Sequence, residues 1–239
     1  MKLKIMHLYP DLLSFYGDSG NIASLTHRLL WRGIDAEVIE QNSTEDELDL
    51  TDVDIIFLGG GGEREEKLVM DKLKINRDKL ADYIDNDGVV LAVCGGFDML
   101  GKYIEYGTET VAGAGVLDIY TRAGKERASG DVILESTLYD GKIVGFENKI
   151  GKTHIGNLTP LGTVLTGTGN NGEDKGEGVV YKNVIGTHLH GPLLPKNPKL
   201  SDWLIERALC KKYMEFTKLT PLSTDIEDKA NEYIVNRYK

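Results

Sequence analysis

Two short apolar runs that stop abruptly at glycines constrain the fold of this chain most strongly. Residues 55–58 end at four consecutive glycines, and residues 89–93 end at Cys94-Gly95-Gly96. Runs that are apolar at every position are typical of parallel strands buried on both faces. Helical patterns alternate with these runs along the chain. The sequence therefore predicts an α/β fold with a doubly wound, mainly parallel sheet.

The pattern changes after about residue 112. Before that point, residues 3–8 predict a first strand and residues 21–32 have the apolar spacing of a helix. Short alternating segments between residues 112 and 187 predict antiparallel strands that extend the same domain. Prolines near residue 195 precede two helical patterns, at 200–216 and 225–238. We expect one domain over residues 1–195 and a C-terminal helical extension over residues 196–239.

Charge and hydropathy exclude several classes of function. The 38 acidic and 28 basic residues give a net charge of −10, which disfavours general affinity for nucleic acid or an anionic membrane surface. The apolar stretches fall far short of the roughly 20 residues that span a bilayer, and the amino end lacks a secretory signal. We expect a cytoplasmic protein that does not bind nucleic acid or insert into the membrane.

The chain has only two cysteines, Cys94 and Cys210, and no CxxC pair. A disulfide framework or a cysteine-based zinc site is therefore not expected. Cys210 lies within a helical pattern, where we expect it to pack against the rest of the fold. Cys94 is either a small structural residue or a reactive thiol, and its neighbours have to distinguish the two.

Cys94 lies where a buried strand meets a predicted helix, with small residues on both sides. Ala92 and Gly96 stand two positions before and after it, as a tight turn around a nucleophile requires. The positive end of the following helix is expected to favour the thiolate and lower the thiol pKa. The N–H of Gly95 is a candidate oxyanion donor. On this pattern alone, a structural cysteine in a glycine-rich turn is an equally good interpretation.

The glycine run at 59–62 supplies a second candidate element. It should lie beside Cys94, because the carboxyl ends of neighbouring parallel strands share one sheet edge. Acyl transfer needs N–H donors at one tetrahedral oxygen, and glycines let the backbone approach a substrate. Gly60 and Gly61 are the candidate donors. A flexible loop and a phosphate cradle are the alternatives, although no Gly-Lys-Ser/Thr follows as in a P-loop.

Two histidines, His188 and His190, follow a strand pattern near residue 185. At i and i+2 they would share one face of a strand, so a metal pair and two structural histidines are both possible. No third cluster of metal ligands is evident, and no metal site is predicted. His190 is the better candidate for a general base, because Gly191-Pro192 put it at the strand end, where active-site groups gather.

Together these residues resemble class I glutamine amidotransferases of the cobyric acid synthase (CobB/CobQ) type, and among them the amidotransferase subunits of lipid II isoglutaminyl synthases. Each motif alone is weak evidence, but their order along residues 1–195 is specific. The motifs are Tyr16-Gly17-Asp18-Ser19-Gly20-Asn21, the glycines at 59–62 with Glu63-Arg64-Glu65, Val93-Cys94-Gly95-Gly96, Gly145-Phe146-Glu147-Asn148 and Leu189-His190-Gly191-Pro192.

The resemblance implies a glutaminase with Cys94 as nucleophile and His190 as acid and base. Cys94 would attack the side-chain amide of glutamine, release ammonia and form a glutamyl thioester, which water then hydrolyses. Arg127 matches an arginine that helps to bind the glutamine substrate in the family. Its fork-shaped guanidinium suits an α-carboxylate.

Two positions depart from the family pattern. Most class I enzymes have a glutamate two residues after the histidine as its orienting partner, but Pro192 stands there. The partner of His190 would then come from elsewhere in the chain or, as we favour, from a carboxylate of another subunit. Lys149 stands where relatives often have a histidine, so a role that depends on that histidine is not expected in this chain.

The chain has no nucleotide-binding motif, although amidation of a carboxylate requires ATP. The resemblance therefore implies no cofactor on this chain and a heterodimer with a Mur-ligase-like (MurT-type) synthase subunit that holds ATP and Mg²⁺. That subunit would amidate the D-glutamate α-carboxyl of lipid II in peptidoglycan synthesis. The alternatives are another acceptor such as a cobyrinic acid intermediate, an inactive regulatory subunit on the same fold, or a cysteine hydrolase of a different amide or peptide.

Overall fold

The computed structural model describes residues 1–45 and 47–238. Its helices are α1 (Ser19–Leu30), α2 (Glu63–Ile75), α3 (Arg77–Asp85), α4 (Gly95–Met99), α5 (Pro198–Lys212) and α6 (Asp225–Asn236), with 3₁₀ turns at Phe15–Gly17 and Leu194–Lys196. Its strands are β1 (Lys2–Leu8), β2 (Asp35–Gln41), β3 (Ile55–Leu58), β4 (Val89–Val93), β5 (Tyr103–Tyr106), β6 (Glu109–Ala112), β7 (Tyr120–Arg122), β8 (Ala128–Ser136), β9 (Lys142–Lys149), β10 (Lys152–His154), β11 (Gly162–Thr166), β12 (Gly176–Glu177), β13 (Val179–Tyr181) and β14 (Val184–Thr187).

Six strands form the central sheet in the order β13-β14-β4-β3-β1-β2. Every neighbouring pair is parallel except β13 and β14. β3, β4 and β14 are buried along their whole lengths, which the uninterrupted apolar sequences of β3 and β4 predict. The carboxyl ends of β1, β3, β4 and β14 therefore meet at one edge of the sheet.

Helices cover both faces of this sheet. On one face, the apolar side chains of α2, α3 and α4 pack with those of β1, β3 and β4. On the other face, α1 and α5 pack against the alternate side chains of the same strands. The predicted doubly wound, mainly parallel α/β fold is confirmed, and α1, α5 and α6 lie within a few residues of the helical patterns at 21–32, 200–216 and 225–238.

The antiparallel strands predicted after residue 112 are present and extend the same domain. Of these strands, β14 and β13 belong to the central sheet, and β13 pairs with it in the antiparallel direction. The others form two separate four-stranded sheets, β10-β7-β5-β6 and β12-β11-β8-β9. Alternating apolar residues identify a strand with one solvated face, but they do not specify the strand with which it pairs.

The C-terminal segment contributes to the core. The inward face of α5 is fully buried in the cluster that also holds side chains of β3 and β4, and it consists of Leu200, Leu204, Ile205, Ala208 and Leu209. Cys210 is exposed on the opposite side of the helix, so the expectation that it packs inward is wrong. The domain boundary after residue 195 stays a prediction. Along residues 1–45 and 47–238 no helix is long and apolar enough to cross a bilayer.

Replacing Leu204 with alanine tests whether α5 is an integral part of the core. Leu204 is completely buried, and we expect Leu204→Ala to lower the free energy of unfolding by about 2–5 kcal/mol, as cavities in packed cores do. Chemical denaturation measures the loss, with Cys210→Ala on the exposed face of the same helix as a control of about 0.5 kcal/mol or less. Equal, small losses in both variants would contradict the packing of α5 on the sheet.

Candidate active site

Cys94 follows β4 in a strained turn. Its backbone has φ 55° and ψ −123°, a conformation that side chains rarely adopt and that is found at nucleophile elbows. Its N–H donates to the Thr187 carbonyl at 2.7 Å, which ties the turn to the end of β14. A Cβ on Gly96 would lie 2.4 Å from the Leu58 carbonyl oxygen, so this position requires glycine. The tight turn predicted around Cys94 is therefore present, and its side chain is partly exposed.

The electrostatic environment of the thiol is opposite to the one predicted. Burial raises the pKa of Cys94 well above its usual range, and the carboxyl groups of Asp98 and Glu66 raise it further. The expected lowering by a helix dipole is wrong, because α4 has only five residues and a carboxylate in its first turn. To act as a nucleophile, Cys94 would therefore need a base to take its proton.

Glu66 of α2 is buried directly beside Cys94. A Cβ on Gly95 would lie 1.8 Å from Glu66 Oε1, so the carboxyl group packs on the residue after Cys94. The Tyr106 hydroxyl donates to Glu66 Oε2 at 2.8 Å, and the Gly61 N–H points at Oε1 at 3.5 Å. Burial raises the pKa of Glu66 to about 7, so this carboxyl group changes charge near neutral pH.

The glycine run after β3 lies against Cys94, as predicted. A Cβ on Gly60 would stand 3.0 Å from Cys94 Cβ and 3.5 Å from Sγ. The N–H of Gly60 already donates to Asp18 Oδ2 at 3.2 Å. With Gly61 directed at Glu66, the two predicted oxyanion donors of this loop both face carboxyl groups. Gly95 is buried, and its N–H donates to the Cys94 sulfur.

His190 lies three residues beyond the β14 residue that binds the backbone of Cys94. It is buried, and its backbone exchanges hydrogen bonds with Phe146 at 2.8 and 3.2 Å. The Tyr16 ring packs on the imidazole with 4.6 Å between ring centroids. Neither ring nitrogen has a hydrogen-bond partner in the described part of the chain, and Asp18 Oδ1 lies 3.6 Å from Nδ1. The structure thus brings His190 to the sheet edge that carries Cys94, with both ring nitrogens free to bond.

His188 has a different environment from His190. Its Nε2 lies 3.2 Å from Asp98 Oδ1 and 3.1 Å from Thr153 Oγ1, and its Nδ1 lies 3.3 Å from Glu177 Oε2. Burial and Lys149 oppose its charge, but the two carboxylates raise its pKa. Burial also opposes the charge of Glu177, whose pKa the contacts with His188 bring down to about 2. His188 is thus held in a buried ion network.

No metal site is apparent in the described structure. Among residues 1–45 and 47–238, no group of three or more His, Cys, Asp or Glu side chains is arranged to hold a metal ion. His188 and His190 differ in their partners because the first faces Asp98 and Glu177, whereas the second faces Tyr16 and Asp18.

A cleft of about 510 Å³ opens over Cys94. Arg127 lines it and donates to Asn148 Oδ1 at 2.9 Å, and Asn148 in turn donates to the Tyr16 hydroxyl at 2.8 Å. Lys149 also lines the cleft, and its ammonium group donates to the Gly151 and Asn170 carbonyls at 3.0 and 2.7 Å. Arg127 and Cys94 thus share one cleft, as a substrate-binding role for the arginine requires.

Sequence reasoning did not identify Asp18 or Glu66 as site residues. Asp18 stands within the motif Tyr16–Asn21, and Glu66 directly follows the Glu63-Arg64-Glu65 motif. A sequence motif identifies a segment near the site, but it does not show which of its side chains points toward Cys94 or His190. Both carboxyl groups reach the site from elements that precede Cys94 by more than twenty residues.

Glu66→Gln tests the electrostatic coupling beside the nucleophile. Above pH 7 the wild-type carboxyl group is ionised and disfavours the neighbouring thiolate. The amide carries no charge, so we expect the pH profile of Cys94 alkylation by iodoacetamide to move to lower pH. Asp71→Asn on the exposed side of the same helix is the control and should leave the profile unchanged. A shift to higher pH in Glu66→Gln would contradict the assignment.

Two relatives match almost the full length of this chain. Lipid II isoglutaminyl synthase subunit GatD of Staphylococcus aureus is 40% identical over 237 residues, covering 99% of this chain and 96% of that protein. The subunit of the same name from Streptococcus pneumoniae is 40% identical over 239 residues, covering 97% of this chain and 90% of that protein. A probable cobyric acid synthase of Methanosphaera stadtmanae is 31% identical, but only over 60% of this chain and 31% of that protein.

Solved structures of low sequence identity share the fold. A PurLQS structure from Thermotoga maritima matches with a TM-score of 0.54 and 16% identity, covering 88% of this chain and 97% of that one. The glutaminase domain of Trypanosoma brucei CTPS matches with a TM-score of 0.54 and 13% identity, covering 91% and 98%. The model of the CobB/CobQ-like glutamine amidotransferase domain matches residues 4–198. The chain therefore belongs to the CobB/CobQ-like glutamine amidotransferase family.

Proposed function

We propose that this chain is the glutaminase subunit of a lipid II isoglutaminyl synthase. The observation that carries the proposal is the 40% identity, over nearly the whole length of both chains, to two subunits with that name. The similarity to cobyric acid synthases spans only part of this chain and less than a third of those proteins. A cobyrinic acid intermediate as acceptor is therefore the weaker hypothesis.

In this proposal Cys94 attacks the side-chain amide carbon of glutamine. Because burial and two carboxyl groups raise its pKa, the thiol first gives its proton to a base, and His190 takes that role. The imidazolium then protonates the amide nitrogen of the tetrahedral intermediate, the C–N bond breaks to release ammonia, and a glutamyl thioester remains on Sγ. His190 next accepts a proton from water, which attacks the thioester and releases glutamate.

The charges of the cleft support an amino-acid substrate. Arg127 lies at its lining and offers a guanidinium to the α-carboxylate of glutamine. Acidic side chains such as Glu63 and Glu105 also line the cleft, which suits the α-ammonium group. The Gly95 N–H does not face a carboxyl group, and we propose it as the first oxyanion donor. The N–H of Gly60 or Gly61 would become a second donor if it left its carboxylate partner, Asp18 or Glu66.

Ammonia release alone does not amidate a carboxylate. The name of both relatives is that of a subunit, so we propose that this chain works in a heterocomplex. Its partner is a Mur-ligase-like (MurT-type) subunit that holds ATP and Mg²⁺ and activates the D-glutamate α-carboxyl of lipid II. The chain itself contributes glutamine binding, thioester formation and ammonia, and acts in the cytoplasm.

Cys94→Ala tests the proposed function. In the complex with the candidate partner, ATP and lipid II, we expect the variant to lose glutamine-dependent amidation by at least about 10³-fold, because the covalent step has no nucleophile. Free ammonium should still support product formation, since the acceptor site lies on the partner. Mass spectrometry of lipid II measures both reactions, with Cys210→Ala as the control thiol. Equal product from glutamine in Cys94→Ala would contradict the proposal.

Arg127→Ala tests substrate recognition separately from chemistry. Loss of a charge-assisted bond to the α-carboxylate should cost about 1.5–3 kcal/mol, so we expect KM for glutamine to rise about 10- to 150-fold. Glutamate release at varied glutamine concentration measures KM and kcat. Lys125→Ala, two residues earlier in the same loop, is the matched control. An unchanged KM would remove Arg127 from the binding site.

A further inference from the structure

The guanidinium of Arg127 carries an uncompensated charge at the cleft over Cys94. It has five N–H donors, and within the described part of the chain it makes one hydrogen bond, from Nη1 to Asn148 Oδ1 at 2.9 Å. No carboxylate among the described residues forms an ion pair with it. Arg127 therefore keeps both its charge and most of its donors for a ligand of the cleft.

The loop that carries Arg127 is fixed at its start. The Ala123 N–H donates to Glu105 Oε2 at 3.1 Å. A Cβ on Gly124 would lie 1.9 Å from the Ile150 carbonyl oxygen, so the loop lies directly against the residue that follows β9. Arg127 itself is exposed, and a long exposed side chain loses rotamer freedom when it binds a ligand. Its affinity for a carboxylate thus depends on what holds the guanidinium.

Asn148 holds the guanidinium from the neighbouring strand. β8 and β9 pair with Ser129 opposite Asn148, so Arg127, two residues before Ser129, stands diagonally across from Asn148. Long side chains reach each other across such a diagonal. The amide of Asn148 is itself fixed, because its Nδ2 donates to the Tyr16 hydroxyl at 2.8 Å and so turns Oδ1 toward Arg127. Tyr16, Asn148 and Arg127 thus form a hydrogen-bonded row along the cleft wall.

The acceptor on Asn148 is a neutral amide oxygen. It accepts an N–H of the guanidinium and leaves the positive charge intact, whereas a carboxylate at the same position would neutralise the cation and compete with a substrate carboxylate. We propose that Asn148 is a positioning residue that holds the Arg127 guanidinium toward the α-carboxylate of glutamine and keeps its charge available. The inference rests on the proposed glutaminase function, and it gives the last residue of the motif Gly145-Phe146-Glu147-Asn148 a role.

Asn148→Ala is the central test, measured as glutamate release at varied glutamine concentration by the complex with the candidate partner. We expect KM for glutamine to rise about 2- to 10-fold, the range that ordering one long side chain costs on binding. Because the reacting groups are untouched, kcat should stay within about twofold of wild type. Asn183→Ala is the matched control and should leave KM unchanged, because Asn183 donates to the Asp87 carbonyl at 2.9 Å at the amino end of β14.

Two conservative variants separate orientation from charge. Asn148→Asp keeps the size of the side chain but places a carboxylate on the guanidinium, so it should raise KM further than Asn148→Ala does. Tyr16→Phe keeps the ring and removes only the hydroxyl that fixes the amide, so it should raise KM less than Asn148→Ala does. A smaller rise in Asn148→Asp than in Asn148→Ala would contradict the requirement for a neutral amide.

A double-variant cycle tests whether Asn148 acts through Arg127. In the Arg127→Ala background there is no guanidinium to hold, so adding Asn148→Ala should leave KM within about twofold of the Arg127→Ala value. A side chain that only supported the fold would raise KM by the same factor in both backgrounds. That additive result would overturn the inference, and so would a rise in KM of less than about twofold for Asn148→Ala alone.

Failure of the proposed function gives a different result. A wild-type complex that uses ammonium but releases no glutamate from glutamine contradicts that function. Calorimetric titration of glutamine into Cys94→Ala, with and without Asn148→Ala, then tests the inference by itself. A Kd that Asn148→Ala raises about 2- to 10-fold supports it, whereas equal Kd values or no binding of glutamine overturns it.

Discussion

The parallel pairing of β4 with β3 and β14 is the constraint on which the rest of the site depends. Register fixes Leu58 beside Ala92 and Val93 beside Thr187, so the loops that follow the three strands leave the sheet at the same edge. The hydrogen bond from the Cys94 N–H to Thr187 continues this pairing into the turn. Cys94, the glycine loop and His190, which are far apart in sequence, thus meet at one sheet edge through backbone geometry alone.

The protonation of Cys94 at this sheet edge depends on the neighbouring carboxyl groups, Asp98 and Glu66, and on their hydrogen-bond partners. Asp98 is held by His188 and two threonines, whereas Glu66 has a tyrosine hydroxyl and a raised pKa. Both oppose the thiolate of Cys94. The thiol of Cys94 is therefore held in its protonated form. In the proposed function, its reactivity would depend on how His190 is positioned to take the proton.

The sequence predicted those strands and turns that are determined by neighbouring residues in the chain. The apolar runs around residues 55–58 and 89–93 identified buried strands, and small residues around Cys94 predicted its turn. The partners of those elements could not be predicted, because alternation does not specify pairing and a carboxylate such as Glu66 reaches Cys94 from a distant helix. The pKa of Cys94 was predicted in the wrong direction because a helix dipole was assumed for α4, which has five residues. Asp18 was visible within a motif, but its contact with His190 depends on the fold.

The contact between Gly20 and Pro192 has a consequence for inhibition. The cleft over Cys94 is lined with charges of both signs, and a competitive inhibitor has to resemble glutamine to enter it. A Cβ on Gly20 would lie 2.4 Å from Pro192 Cγ, and neither residue is among those that line the cleft. A compound that separates Gly20 from Pro192 would move His190, two residues away, without competing with substrate. High glutamine concentrations in the cell would not relieve such an inhibitor, because glutamine does not bind where it acts.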